Sequence, residues 1–149
     1  DQGEAVYIDK VESDQAVRMY SRVGRRSPLH CTGVGKVLLA FADENEIARV
    51  IDQKGLRRYT NSTITDPSML RRQLDEIRAR GVAFDNEEHE EGIRCVAAPV
   101  RDHRGLIVAA ISVAGPSFRV TPERQQALAQ PVSQAALAIS QRLGYRQRT

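Results

Sequence analysis

Two β-rich runs, Ile93 to Val100 and Leu106 to Val113, are separated by Asp102-His103-Arg104-Gly105. Polar turn formers between apolar, β-branched segments specify an antiparallel hairpin, the feature that most constrains the fold. A short strand, Val82 to Asp85, precedes it, and nothing between Asn86 and Gly92 has an apolar period. A doubly wound parallel sheet would need regular alternation of strands and helices, so an α+β antiparallel sheet is expected.

The remaining elements follow from caps and periodicity. Glu4 to Ser13 alternates, with Val6, Ile8 and Val11 on the apolar side. Asp14-Gln15 then reads as a hairpin connection to a second strand, Ala16 to Tyr20, which Arg25-Arg26-Ser27-Pro28 breaks. Thr32 can cap a helix with the apolar body Val34, Val37, Leu38 and Phe41. Asp43 can cap a short second helix through Ile51, ended by Gly55. Thr65-Asp66-Pro67 starts a third, in which Leu70, Leu74 and Ile77 recur at the helical interval and Gly81 is the stop. Thr121-Pro122-Glu123 starts the last. Its expected buried face is Leu128, Val132, Ala135, Ile139 and Leu143, with Gly144 as the stop and Pro131 kinking or splitting it.

With 149 residues the chain makes one domain, long enough to hide about 70% of its unfolded surface. Its 41% apolar and 28% charged residues exclude a disordered chain. No apolar run is long enough for a membrane span. The polar, acidic opening Asp1-Gln2-Gly3-Glu4 is no signal peptide, so Cys31 and Cys95 are expected as reduced thiols in a cytoplasm. The net charge of +3 comes mostly from arginines interleaved with acids. A nucleic-acid binder concentrates its charge, and only the tail from Arg142 to Arg148 is undiluted.

Several motifs carry residue types capable of chemistry. Gly33-Val34-Gly35-Lys36 fails the nucleotide-loop spacing, because His30 and Val37 stand where that loop needs glycine and a hydroxyl. Free N–H groups at Gly33, Val34 and Gly35 could still receive a small anion, or the glycines could only let the helix pack closely. His30, Cys31, His89 and Cys95 match no compact zinc pattern, so no metal is expected. Cys95 reads as a small core residue, with no histidine placed beside it, and no catalytic residue is assigned. Asp85 and Ser112 lie on strand segments where they either meet backbone partners, point to solvent or line a cavity. Glu87-Glu88-His89-Glu90-Glu91 is expected as a solvated loop.

Three blocks, Ser27 to Phe41 (SPLHCTGVGKVLLAF), Phe84 to Pro116 (FDNEEHEEGIRCVAAPVRDHRGLIVAAISVAGP) and Arg119 to Arg124 (RVTPER), occur in that order. They resemble the ligand-sensing domain of the IclR family of bacterial transcription regulators. The resemblance implies a GAF-like α+β fold, a curved antiparallel sheet with helices on its faces, over residues 1–149. It also implies a small organic acid as effector, pairing into a homodimer or tetramer, and DNA contact only through a winged helix-turn-helix domain absent here. The N-terminal edge of the domain would then be truncated. The ligand-binding residues it implies are Gly33, Val34, Asp85, Ile93, Cys95, Ser112 and Ala114. At Ala114 the family pattern often has a second serine, so one hydroxyl is lost here.

On this reading the helix-start N–H groups bind a carboxylate, Ser112 adds a hydrogen bond and Asp85 accepts one from the ligand. Cys95, Ile93 and Val34 supply an apolar wall. The function expected is effector sensing by a regulator, without enzyme activity, cofactor or membrane contact. A metal-dependent or cysteine-based enzyme of small organic acids is the alternative, and a plain dimerisation module a third reading.

Overall fold

A computed structural model describes residues 1–14 and 22–147. The expected hairpin is present as β4 (Ile93–Arg101) and β5 (Ile107–Pro116), antiparallel, with a register shift at Val100/Arg101. A shorter strand, β3 (Ala83–Asn86), pairs antiparallel with the other edge of β4, so the sheet order is β3-β4-β5.

The two faces of this sheet are covered by different helices. Side chains alternate along a strand, and residues directly opposite in register share a face. Val82, Phe84, Val96, Ala98, Val100, Ala109 and Ile111 pack against the last helix, α4 (Pro122–Arg142), through Val132 and Ala136. Ala83, Ala97 and Ala110 point the other way, into a core with Val34 and Val37 of α1 (Gly33–Ala40). Leu70, Leu74 and Ile77 of α3 (Pro67–Arg80) complete that second core.

The helix caps are those the sequence predicts. Thr32 Oγ1 accepts from the Gly35 N–H at 3.1 Å, Asp43 caps α2 (Glu44–Arg49), Asp66 caps α3 and Thr121 caps α4. The chain after α2 runs on as a π-helical turn, Val50–Lys54, before Gly55 ends it. At Gly81 the backbone is left-handed (φ 78°), the conformation that lets α3 stop and turn directly into β3.

Four expectations are corrected. Arg26–Pro28, read as a strand break, is itself a strand, β2, paired with β1 (Glu4–Val6). Pro28 is tolerated there because β2 is paired on one side only, and an edge strand can spare the N–H that proline lacks. The strand at Glu4 does not extend to Ser13: pairing with the following chain ends at Tyr7 and Gly24, and Ile8 and Val11 are 79% and 94% exposed. The expected connection at Asp14-Gln15 and the return strand Ala16 to Tyr20 fall on residues 15–21, outside the described ones.

On α4, the buried residues are Gln125, Val132, Ala136 and Ser140, whereas Ala135, Ile139 and Leu143 are exposed. Polar groups displaced the apolar stripe because the strands need partners. Gln125 Nε2 donates to the carbonyls of Asp85 (3.0 Å) and Cys95 (3.1 Å), and Ser140 Oγ accepts the Arg101 N–H at the register shift (2.9 Å). Pro131 does not split α4; it sits on the exposed side.

The fourth correction is the acidic segment. Glu88 is buried, and Glu87 is tied to Gly92 N–H and Arg94, so only its far end is solvated. The left-handed backbone at Glu87 (φ 60°) belongs to the turn that sends Glu88 inward.

Candidate functional site

The expected site residues come together on the α1 face of the sheet. Asp85, Cys95 and Ala114 form one row across β3, β4 and β5, since Asp85 pairs with Cys95 and Cys95 with Ala114. Ala83, Ala97 and Ser112 form the next row. Ile93 shares the face with Cys95 by alternation and is half-buried at the end of β4.

The start of α1 lies directly over these rows. A methyl group on Gly33 would overlap Cys95 Sγ and press on Ala97 Cβ. A methyl on Gly35 would overlap Thr32 Oγ1, Pro28 O and Leu29 Cα. Glycine is therefore required at both places for packing. One part of the anion reading is corrected here: the Gly35 N–H is taken by Thr32, whose hydroxyl also donates to Pro28 O at 2.8 Å. The Gly33 N–H is in turn directed at the Cys95 sulfur, so of the three expected N–H groups two already have partners inside the protein and the positive end of the helix is left to Val34.

Val34 is buried against the core, as an apolar wall residue should be. Ser112 and Ala114 are exposed along β5, so the site opens on that side among the described residues. Two clefts lie elsewhere on the molecule. One of about 230 Å³ is lined by Leu29, His30, Lys54, Arg57 and Tyr59 among others, and a second surrounds His103, Arg104 and Tyr145. Neither includes an expected site residue.

Electrostatics below the site are set by a group that sequence reasoning passed over. Lys36, on the second turn of α1, is fully buried. Its Nζ lies 2.8 Å from both carboxylate oxygens of Glu88 and donates to Gln73 Oε1 and Phe84 O. Glu88 also accepts the Asn86 N–H, and the Glu88 N–H donates to Asp85 Oδ1 at 2.9 Å. Burial pushes the Asp85 carboxyl up to about 7, the Glu88 N–H opposes this, the Glu88 charge adds to it and the Lys36 ammonium opposes it. Near neutrality Asp85 can thus accept or donate a hydrogen bond.

Neither cysteine is armed as a nucleophile. Burial pushes the Cys31 and Cys95 thiols well up, and a nucleophilic cysteine needs its thiolate. Burial lowers His30 and His89; His30 Nε2 meets Arg57 O at 2.8 Å, and the His89 ring packs edge-on to Tyr59. Among the described residues no three His, Cys, Asp or Glu side chains are grouped to hold a metal.

Tyr7 and Ser27 were also missed. Tyr7 packs against the α1 core, and burial raises its phenol, opposed by a side-chain hydrogen bond with Ser27. The only sequence signal for it was its place in an alternating segment.

Comparison with known proteins was decisive at the family level. The family described as bacterial transcriptional regulator IclR C-terminal matches residues 1–141. The chain belongs to this family. Within the IclR family it is 43% identical over 145 residues to the HTH-type transcriptional regulator KdgR of Escherichia coli K12, covering 97% of this chain and 55% of KdgR. The Thermotoga maritima IclR crystal structure superposes with a TM-score of 0.90 at 43% identity, over 97% of this chain and 59% of that one. A PobR inducer-binding domain from Acinetobacter, a double mutant in complex with 3-hydroxybenzoic acid, superposes at 0.83 with 31% identity, over 97% and 83%.

The chain spans about half the length of the curated IclR-family regulators it matches. Those relatives are transcriptional regulators, not enzymes, in agreement with the expectation of a regulator. The α+β fold expected from the resemblance is likewise that of the IclR-family neighbours.

Proposed function

We propose that this chain is the effector-sensing domain of an IclR-family regulator, and that its effector is a small organic acid held between the start of α1 and the β3-β4-β5 sheet. The observation that carries this reading is the register. Asp85, Cys95 and Ala114 in one row, with Ser112 in the next, lie under the Gly33 end of α1. The ligand carboxylate meets the Val34 N–H and the helix dipole, which favour an anion without a full countercharge. Ser112 donates a hydrogen bond, Asp85 exchanges one with a ligand polar group, and Val34, Ile93, Cys95 and Ala114 form the apolar wall.

The PobR domain complexed with a hydroxybenzoic acid supports a carboxylic acid as the class. Ala114 removes a hydroxyl from the β5 face, which shifts polar recognition toward Ser112 and Asp85. Binding acts on transcription only so far as it discriminates between two arrangements of the regulator, and operator contact is assigned to a separate DNA-binding domain in the cytoplasm. Exposed Val108, Val113, Phe118, Ile139 and Leu143 are the apolar side chains a homodimer or tetramer contact would cover.

Calorimetry with a panel of small keto, hydroxy and aromatic acids tests this reading, alongside an assay for consumption of each acid. Stoichiometric binding of an acid without turnover is expected. Turnover of any acid by the pure protein, or binding of none, would overturn it.

A further inference from the structure

The charges around the proposed ligand place do not balance without a proton. Asp85 is 6% exposed, at the β3 end of the row that faces the start of α1. One carboxylate oxygen, Oδ1, accepts the Glu88 N–H at 2.9 Å. The other, Oδ2, has no hydrogen-bond partner among the described residues, and its neighbours do not close it off. A carboxylate this far out of water needs a countercharge, hydrogen bonds or a proton.

The countercharge is already matched. The cation acting on Asp85 is Lys36, whose Nζ meets both oxygens of Glu88 at 2.8 Å and donates to Gln73 Oε1 and Phe84 O. Among the described residues, the other titratable groups around Asp85 are acids or weak acids. They are Glu87 and Glu88 on the turn after β3, Cys95 on β4, Cys31 ahead of α1 and Tyr7 after β1. From α4 comes the neutral Gln125, which donates to the Asp85 carbonyl, and from β5 the neutral Ser112 and Ala114. At the start of α1 stand the Val34 N–H and a helix dipole worth about half a positive charge. An ionised Asp85 beside a bound carboxylate would set two negative charges against that half.

We propose that effector binding takes up one proton from solution: the ligand arrives as a carboxylate, Asp85 is protonated, and its Oδ2–H donates to a ligand carboxylate oxygen. No bond but this O–H forms, and the site gains one anion together with one proton. This rests on the sensing reading above and deepens it, making Asp85 the residue through which pH sets effector affinity. Glu88 is the positioning residue, since its N–H fixes Oδ1 and leaves Oδ2 to carry the proton. Burial, the largest cause, already holds the Asp85 carboxyl up at about 7. A second carboxylate alongside pushes it higher. Uptake is therefore small at pH 5.5, where Asp85 holds its proton beforehand, and about one proton at pH 8.

Calorimetry on the chain with propionate, glycerate, benzoate and 3-hydroxybenzoate tests this, each run at pH 8 in HEPES and in Tris, whose ionisation heats differ. For an acid that binds, the difference in heat should correspond to about one proton taken up. Its dissociation constant should rise by about fivefold to tenfold per pH unit above pH 7 and level off below pH 6. Asp85→Asn, whose amide donates but cannot titrate, should abolish the uptake and flatten the profile, while Glu87→Gln should keep both. Binding without proton uptake, or uptake that survives in Asp85→Asn, overturns the inference and leaves the sensing reading standing. If Asp85→Asn does not bind, the wild-type heats decide alone: uptake of less than about 0.3 proton at pH 8 overturns the inference. If no acid binds the wild type, the sensing reading fails and the inference with it.

Discussion

Lys36 Nζ and the Glu88 carboxylate meet at 2.8 Å with neither side chain reaching solvent. This pair ties α1 to the turn after β3, the two elements that frame the expected site. Lys36 donates to Gln73 Oε1 and Phe84 O besides, so each of its protons has an acceptor. A buried ion pair survives only when its remaining hydrogen-bonding capacity is satisfied, as it is here.

Removing one member should leave the other as an uncompensated buried charge. Lys36→Met or Glu88→Gln is therefore expected to destabilise the fold by about 3–5 kcal/mol. The double variant Lys36→Met/Glu88→Leu should cost less than the two single changes added together. Chemical denaturation of the three variants checks this; simple additivity would mean that the pair is not coupled.

Gly33 is a position where backbone approach, not conformation, requires glycine. Gly33→Ala should cost about 1–3 kcal/mol, because the new methyl meets Cys95 Sγ and Ala97 Cβ. Adding Cys95→Ala opens the space, so the double variant should be more stable than Gly33→Ala alone. Melting temperatures of the two settle it: a double variant no more stable than the single one would show that the contact is not the cause.

Asp85 makes stability depend on pH in a stated direction. Its folded carboxyl, raised first by burial and also by the Glu88 charge, holds a proton up to about 7, against 3.8 when unperturbed. The folded chain therefore binds more protons than the unfolded chain between these values, and stability is lost as pH rises through that window. The loss attributable to Asp85 is on the order of 2–4 kcal/mol. Asp85→Asn should flatten the melting-temperature profile between pH 4 and pH 7 relative to the wild type. An unchanged profile would place the titration elsewhere.

Much of this architecture was legible in the sequence, and the misses share a cause. Caps at Thr32, Asp43, Asp66 and Thr121, and the hairpin at Asp102 to Gly105, are local signals read from a few neighbouring residues. Gln125, Ser140, Lys36 and Glu88 are polar residues buried against partners 30 to 52 positions away. Hydrophobic periodicity assigns such residues to the surface, which is why the buried face of α4 was read one residue off and the acidic turn was read as solvated. Arg26–Pro28 was missed for the converse reason: a three-residue strand carries almost no pattern of its own, and its partner β1 makes it.

The site residues were found by resemblance, and their alternation explains why they fit together. Residues 93 and 95, and 112 and 114, are two apart on neighbouring strands, so an antiparallel register can bring them to one face. Ser27 had no such signal, since only the pairing of β1 with β2 reveals that its side chain is buried.

Ser112 separates a ligand residue from a structural one. It is exposed, and its hydroxyl makes no bond on which the fold depends among the described residues. Ser112→Ala should therefore leave the melting temperature within a degree or so of the wild type. It should weaken acid binding by about 1–3 kcal/mol, or tenfold to a hundredfold. Lost stability with unchanged affinity would reverse the assignment.

The most direct test of the central claim is a crystal structure of the chain with an acid that calorimetry shows to bind. The account predicts the carboxylate within hydrogen-bond reach of the Val34 N–H, with Ser112 Oγ and Asp85 contacting the same molecule. A ligand seated instead in the cleft between His30, Lys54 and Arg57, with the face under α1 left empty, would contradict it.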